Sequence, residues 1–293
     1  MSERVSERVS ERPGSSVSAR VVAFDAAGSR NRSDRLATEE PLEIRLLAGR
    51  SRRTAAVTMR TPGADFELAA GFLHGEGVVA GPGDIVGMSY CTDPGIDGEQ
   101  RFNIVNVALA PHVAPDLAPL ERHFLTTSAC GVCGKASLDA LRVRSAPLAG
   151  TSPRIDPGTL TGLPGRLRAA QGLFEVTGGL HAAGLFDAGG NLVAAREDVG
   201  RHNAVDKLLG WALMAGRLPL AESIVVVSGR ASYEILQKCL AAAVPVVCSV
   251  SAPSSLAVSL AEQFEMTLVG FLRGDRFNVY AGAARIARCG VQP

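Results

Sequence analysis

The sequence has no charge surplus. Lysine and arginine total 30 against 29 acidic residues, a net charge of +1, and no run of basic residues exceeds a pair. A non-specific nucleic-acid footprint needs a basic excess, so nucleic acid is not expected as a partner and any anion site must be local. Long apolar runs are also missing. No segment approaches the roughly 18 uninterrupted apolar residues of a membrane span. The N-terminus repeats a polar Ser-Glu-Arg-Val unit from Ser2 and again from Ser6, where a signal peptide would need an apolar stretch. Together these absences give the expectation of a cytoplasmic protein with no membrane association. In that reducing compartment the six cysteines (Cys91, Cys130, Cys133, Cys239, Cys248, Cys289) are not expected to form a disulfide framework.

Hydrophobic residues make up 46% of the 293 positions, enough for a sizeable core in one large domain or two smaller ones. Residues 1–19 are repetitive and polar and read as a disordered tail. Residues 20–145 read as an α+β subdomain with an antiparallel sheet. Strand-like runs from Pro41 to Leu47 and from Arg53 to Met59 flank a hairpin connection at Ala48-Gly49-Arg50. A helix is expected from Asp65 to His74, stopped by Gly75 and Gly77, and a strand from Arg101 to Leu109. Phe124 to Ser128 reads as a strand and Ser137 to Val143 as a helix, with the cysteine pair between them. Residues 145–165 are rich in Pro and Gly and form the best linker candidate. Residues 146–293 then read as an α/β domain. Its apolar strands at Ser223–Val227, Val244–Val250 and Met266–Leu272 alternate with helices from Ser232 to Ala242 and up to Gln263, the rhythm of a parallel sheet covered on both faces.

In such sheets ligands bind beyond the carboxyl ends of the strands. Here those ends carry Ser228-Gly229-Arg230, Ser249 to Ser255, and Arg273-Gly274-Asp275-Arg276: small, polar or cationic residues that suit an anion. Arg196, Arg201 and His202 open a further helix and are candidates to join this rim, with His181 facing the same cleft. The alternative for this segment is a capped helix start, with Asp198 or Asn203 as cap and the charges in solvent. Cys239, Cys248 and Cys289 lie in apolar surroundings and read as buried hydrophobes. Cys130-Gly131-Val132-Cys133-Gly134 is different: a helix N-terminus and Lys135 would favour a thiolate there. A lone C-x-x-C also fits half a zinc site, a redox pair or coincidental thiols. Zinc would need two more ligands, and there is no second C-x-x-C and no closely spaced histidine pair. His74-Gly75-Glu76 followed by the cysteine pair mimics a zinc-deaminase signature, but Ala129 stands where that signature has proline.

Four segments taken together resemble one family: Thr126 to Gly134, Glu197 to Lys207, Ser228 to Glu234, and Met266 to Phe271. In this order they are similar to the FdhD family of formate dehydrogenase accessory proteins, from about residue 35 to about 285. The resemblance implies a cytidine-deaminase-like α/β/α core, a homodimer, and a sulfur carrier. It would take persulfide sulfur from a cysteine desulfurase and pass it to a bis-molybdopterin guanine dinucleotide molybdenum cofactor for apo-formate dehydrogenase. It implies that Cys130 carries the persulfide with Cys133 assisting, that Phe271, Leu272, Arg273, Gly274, Asp275 and Arg276 contact the cofactor, and that no metal is permanently bound. A non-catalytic cofactor-binding chaperone and a zinc-dependent deaminase are the competing readings.

Overall fold

A computed structural model describes residues 13–48, 51–113, 146–148, 150 and 153–287. Cys130, Cys133, Cys289 and the elements expected at Phe124–Ser128 and Ser137–Val143 lie outside the described residues.

The first element is a two-stranded antiparallel ribbon, β1 (Ser16–Asp25) with β2 (Gly28–Ala37). It begins inside the span expected to be a disordered tail, which is corrected from residue 16 onward. Alternating Val17, Ala19, Val21 and Ala23 provide the strand pattern that the polar repeat before them lacks. The ribbon is tied at its base by the Ser15 hydroxyl donating to Pro62 O, while Phe24 near its tip is 79% exposed.

A four-stranded sheet follows in the order β4-β3-β6-β5, from β3 (Glu40–Ala48), β4 (Ser51–Arg60), β5 (Ile85–Tyr90) and β6 (Ile104–Leu109). β3 turns Leu42, Ile44 and Leu46 inward at the two-residue period of a half-buried strand. Helix α1 (Asp65–Gly75) covers that face. The sheet is mixed where an antiparallel one was expected: β3 and β6 run parallel, because the chain between them detours through α1 and β5.

The second sheet has six strands in the order β12-β11-β10-β9-β7-β8. These are β7 (His181–Phe186), β8 (Leu192–Asp198), β9 (Ile224–Val227), β10 (Val246–Ser249), β11 (Thr267–Arg273) and β12 (Arg276–Ala281). Its centre, β9-β10-β11, is parallel as the apolar runs suggest, while β12, β7 and β8 join antiparallel. Short connections at Gly274-Asp275 and at 187–191 cannot make a parallel crossover. After the short helix α2 (Gly98–Arg101), α3 (Pro157–Ala169) covers one face of this sheet, and α5 (Arg201–Met214), α6 (Tyr233–Ala241) and α7 (Ser255–Gln263) cover the other. Helix α3 replaces much of the expected linker. Pro157 sits in the first turn, where a missing N–H costs nothing, and Asp156 accepts from Gly158 N as N-cap. Leu160, Leu163 and Leu167 supply its buried stripe.

The two sheets meet through α1 and α5, which cross backbone on backbone. A Cβ on Gly71 would lie 1.9 Å from Asp206 O, and one on Gly210 1.8 Å from Glu67 O. Any side chain at either position would push the helices apart. Among the described residues, no helix is long and apolar enough to cross a membrane.

Candidate functional site

The loops after β9, β10 and β11 converge at the carboxyl edge of the parallel strands. Val250 N donates to Val227 O, Ser254 N to Ala231 O, and Phe271 N to Ser251 O, each at 3.0–3.1 Å. Arg273 Nε donates to Val250 O at 3.1 Å. Arg230, Arg273 and Arg276 are exposed on this rim, and none of them has an ion-pair partner among the described residues. Ser228 is committed inward, its hydroxyl accepting from Ala182 N at 2.9 Å.

Phe271 is the unusual residue of the rim. Its φ is 53°, in the left-handed region that costs a non-glycine residue about 1–2 kcal/mol. It lies in a register shift between Gly270 and Arg273 in the β11–β12 pairing. Gly270, just before it, has no room for a side chain, since a Cβ there would meet Pro253 Cδ and Tyr280 at 2.8 Å. The strain leaves the half-buried Phe271 ring at the strand ends, with the Arg273 guanidinium 5.4 Å from its centroid. A flat aromatic face beside exposed guanidinium groups suits a planar base joined to phosphates. Leu272, the next residue, is fully buried in the core and offers only backbone. Gly274, at φ 56°, makes the β11–β12 turn with Asp275.

The segment that opens α5 splits into two roles. Asp198 is fully buried, so its charge is not in solvent. It accepts from Thr61 N at 3.1 Å, Gly200 N at 2.8 Å and the Asn203 amide at 3.0 Å, and pairs with Lys207 Nζ at 2.6 Å. Lys207 also donates to Thr61 O at 2.8 Å. Glu197 accepts from Leu173 N and Phe174 N at the start of α4 (Gly172–Thr177). These residues clamp the loop after β4 to the C-terminal sheet. Gly200, and neither Asp198 nor Asn203, is the N-cap of α5. Arg196 turns away from the rim to the Glu67 carboxylate, with one N–H···O contact of 2.8 Å, so the expectation that it binds anions is corrected.

Arg201 and His202 do lie beside the rim, next to His181. A Cβ on Gly229 would stand 3.2 Å from His181 Nδ1 and 3.9 Å from Arg201 Cβ. His202 Nε2 is 3.0 Å from the Ser232 hydroxyl and 3.7 Å from Glu234. Burial, followed by the neighbouring Arg201 charge, lowers its pKa to about 4. The same two causes lower His181. At neutral pH His202 is therefore a neutral hydrogen-bonding group and adds no positive point charge to the rim.

Residues 37–287 match the FdhD/NarQ family. The chain belongs to that family. It is 56% identical over 259 residues to the sulfur carrier protein FdhD of Streptomyces coelicolor, covering 87% of this chain and 90% of that one. It is 52% identical to the protein of the same name from Mycobacterium tuberculosis, covering 87% and 92%. Among solved structures it is similar to that of a proposed formate dehydrogenase accessory protein from Desulfotalea psychrophila. The TM-score is 0.71 and the identity 27%, covering 93% of this chain and 99% of that one.

Seen as an FdhD/NarQ member, the structure brings Ser228, Gly229, Arg230, Arg201, His202 and the stretch Phe271–Arg276 to one edge. The expected carriers Cys130 and Cys133 lie outside the described residues. Cys239 and Cys248 are buried and free, and burial raises both thiols, Cys239 to about 12, which removes them as nucleophiles. Sequence reasoning missed Lys238, which is buried between Asp206 and Glu76. The available signal was a lysine inside the apolar stripe Ile235, Leu236, Cys239, Leu240 of α6.

Proposed function

We propose that this protein is a sulfurtransferase that takes persulfide sulfur from a cysteine desulfurase onto Cys130. It delivers that sulfur to a bis-molybdopterin guanine dinucleotide molybdenum cofactor before the cofactor enters formate dehydrogenase. In this reading the protein acts in the cytoplasm as a homodimer, residues 20–145 and 146–293 are its two domains, and its six-stranded core is cytidine-deaminase-like. The observation that carries the reading is the strained Phe271 ring beside exposed guanidinium groups, in a chain whose relatives are named sulfur carrier proteins. The cofactor is the substrate. Phe271 would take the face of a guanine, and Arg230, Arg273 and Arg276 the phosphates. Gly274 leaves the backbone open, Gly229 lets His181 and Arg201 approach the loop, Asp275 contributes through the turn and Leu272 through its backbone, and Arg201 and His202 flank the bound group.

The Cys130 thiolate attacks the terminal sulfur of the desulfurase persulfide. The S–S bond of the donor breaks, its cysteine leaves as a thiolate, and Cys130 becomes the persulfide with no net redox change. For delivery, the Cys133 thiolate attacks the inner sulfur of that persulfide. This expels sulfide toward molybdenum and leaves a Cys130–Cys133 disulfide, which a dithiol reductant resets.

The test is mass analysis of the full chain after incubation with cysteine and an active desulfurase. One added sulfur atom on Cys130, absent in Cys130→Ala, is the expected result. No gain while the desulfurase turns over would overturn the reading. Full activation of the dehydrogenase by Cys130→Ala would instead identify a non-catalytic cofactor chaperone.

A further inference from the structure

On the other side of the segment from Ser228 to Glu234 lies a recess of about 340 Å³, between β3 and β4, α1 and the starts of α5 and α6. Its size is at the lower end of the range for small-molecule sites. One wall is apolar, with Ile44, Val57 and Phe72 among its side chains. The opposite wall is ionic: Glu76, Asp206 and Glu234 face a single ammonium, Lys238.

The charges do not cancel. Lys238 Nζ sits 2.8 Å from Asp206 and 3.8 Å from Glu76, so its charge is met chiefly by Asp206. His202 adds no second cation, for the reasons given above. Burial pushes the Glu234 carboxyl up, but hydrogen bonds from its own N–H and from Ser232, helped by the nearby Arg201 charge, outweigh that and leave its pKa below the ordinary value, so three carboxylates are set against two cations, Lys238 and Arg201. Glu234 therefore faces the recess ionised, with its side chain half exposed. The recess also already accommodates a cation on its apolar side, since Lys238 Nζ lies 5.4 Å over the Phe72 ring. Carboxylates in a partly enclosed, apolar-sided space are left without full compensation and attract positive charge strongly.

We infer that this recess binds a compact organic cation, an ammonium or guanidinium on a short apolar stem, with its head at Glu234 and Glu76 and its stem along Ile44, Val57 and Phe72. The site is opposite in sign to the rim beside it, so phosphates are excluded from one and drawn to the other. It stands independently of the sulfur-carrier reading, because none of the groups it uses takes part in the proposed chemistry.

The test uses the full chain and n-butylguanidinium as the probe, with 1-butanol and butyrate as the neutral and anionic isosteres, read by calorimetry and ligand-observed NMR. Butylguanidinium should bind about tenfold more tightly than butanol, and butyrate should not bind. Glu234→Gln should weaken the cation by about tenfold, while Glu175→Gln, on exposed α4, should leave it unchanged. No saturable binding of butylguanidinium to the wild type, equal binding of butanol or butyrate, or an unchanged affinity in Glu234→Gln would overturn the inference.

Discussion

Replacing Asp198 by Ala separates a structural from a ligand-binding account of the segment from Glu197 to Lys207. The carboxylate is fully buried and Lys207 is 2% exposed, so the variant leaves an ammonium buried with only carbonyl partners. Removing one partner of a buried pair costs about 3–5 kcal/mol. The N–H groups of Thr61 and Gly200 lose their acceptor at the same time. The lost hydrogen bonds overlap with that figure, so a loss of about 4 kcal/mol is expected, against a typical total stability of about 5–15 kcal/mol. Urea denaturation can follow it through the single tryptophan, Trp211, on α5 between the Arg196 and Arg217 guanidinium groups. Adding Lys207→Met should recover part of the loss, giving a coupling energy of at least about 1 kcal/mol. A loss below about 1 kcal/mol for Asp198→Ala, with an unchanged denaturant slope, would refute the clamp and return the segment to the anion cleft.

At Phe271, glycine and alanine variants both lack the ring, but only glycine adopts a φ of 53° without steric cost. Phe271→Gly should be more stable than Phe271→Ala by about 1 kcal/mol in thermal denaturation, while both weaken guanosine diphosphate binding alike. Equal stabilities would show that the strain is absent. His202 gives a pH dependence whose sign is fixed by its lowered pKa. The unfolded chain takes the proton near pH 6.5 and the folded chain only near pH 4, so this contribution is full above pH 6.5 and is lost as pH falls toward 4. The ideal value of about 3 kcal/mol drops to about 1–2 kcal/mol because the side chain remains 35% exposed and screened. His202→Asn should flatten the stability curve in that window, and an unchanged slope would count against the assignment.

The C-terminal strands and helices were legible because each is a short apolar run bounded by turn residues, and Ser228-Gly229-Arg230 and Arg273-Gly274-Asp275-Arg276 fall at the carboxyl ends of the parallel strands as expected. The ribbon β1–β2 was not, because only four residues of β1 alternate clearly and β2 is almost entirely polar. Helix α3 was hidden by its own Pro157, Gly158, Gly162 and Pro164, which read as a linker although Leu160, Leu163 and Leu167 keep helical spacing. At the site, residue type alone made Arg196 an anion ligand. Only the fold shows Glu67 opposite it, a partner 129 positions away. The strain at Phe271 lies in a register shift between strands, which no local pattern encodes.

The contact of Gly71 with Gly210 has a mechanical consequence. With backbone against backbone there is no side chain to change rotamer and absorb a displacement, so α1 and α5 move together or not at all. The N-terminal end of α5 carries Arg201 and His202, and α1 is the backing of the four-stranded sheet. A displacement of that sheet would therefore be carried to the end of α5 that holds Arg201 and His202. A methyl at either glycine would meet backbone at 1.8–1.9 Å and force the helices apart, breaking that linkage.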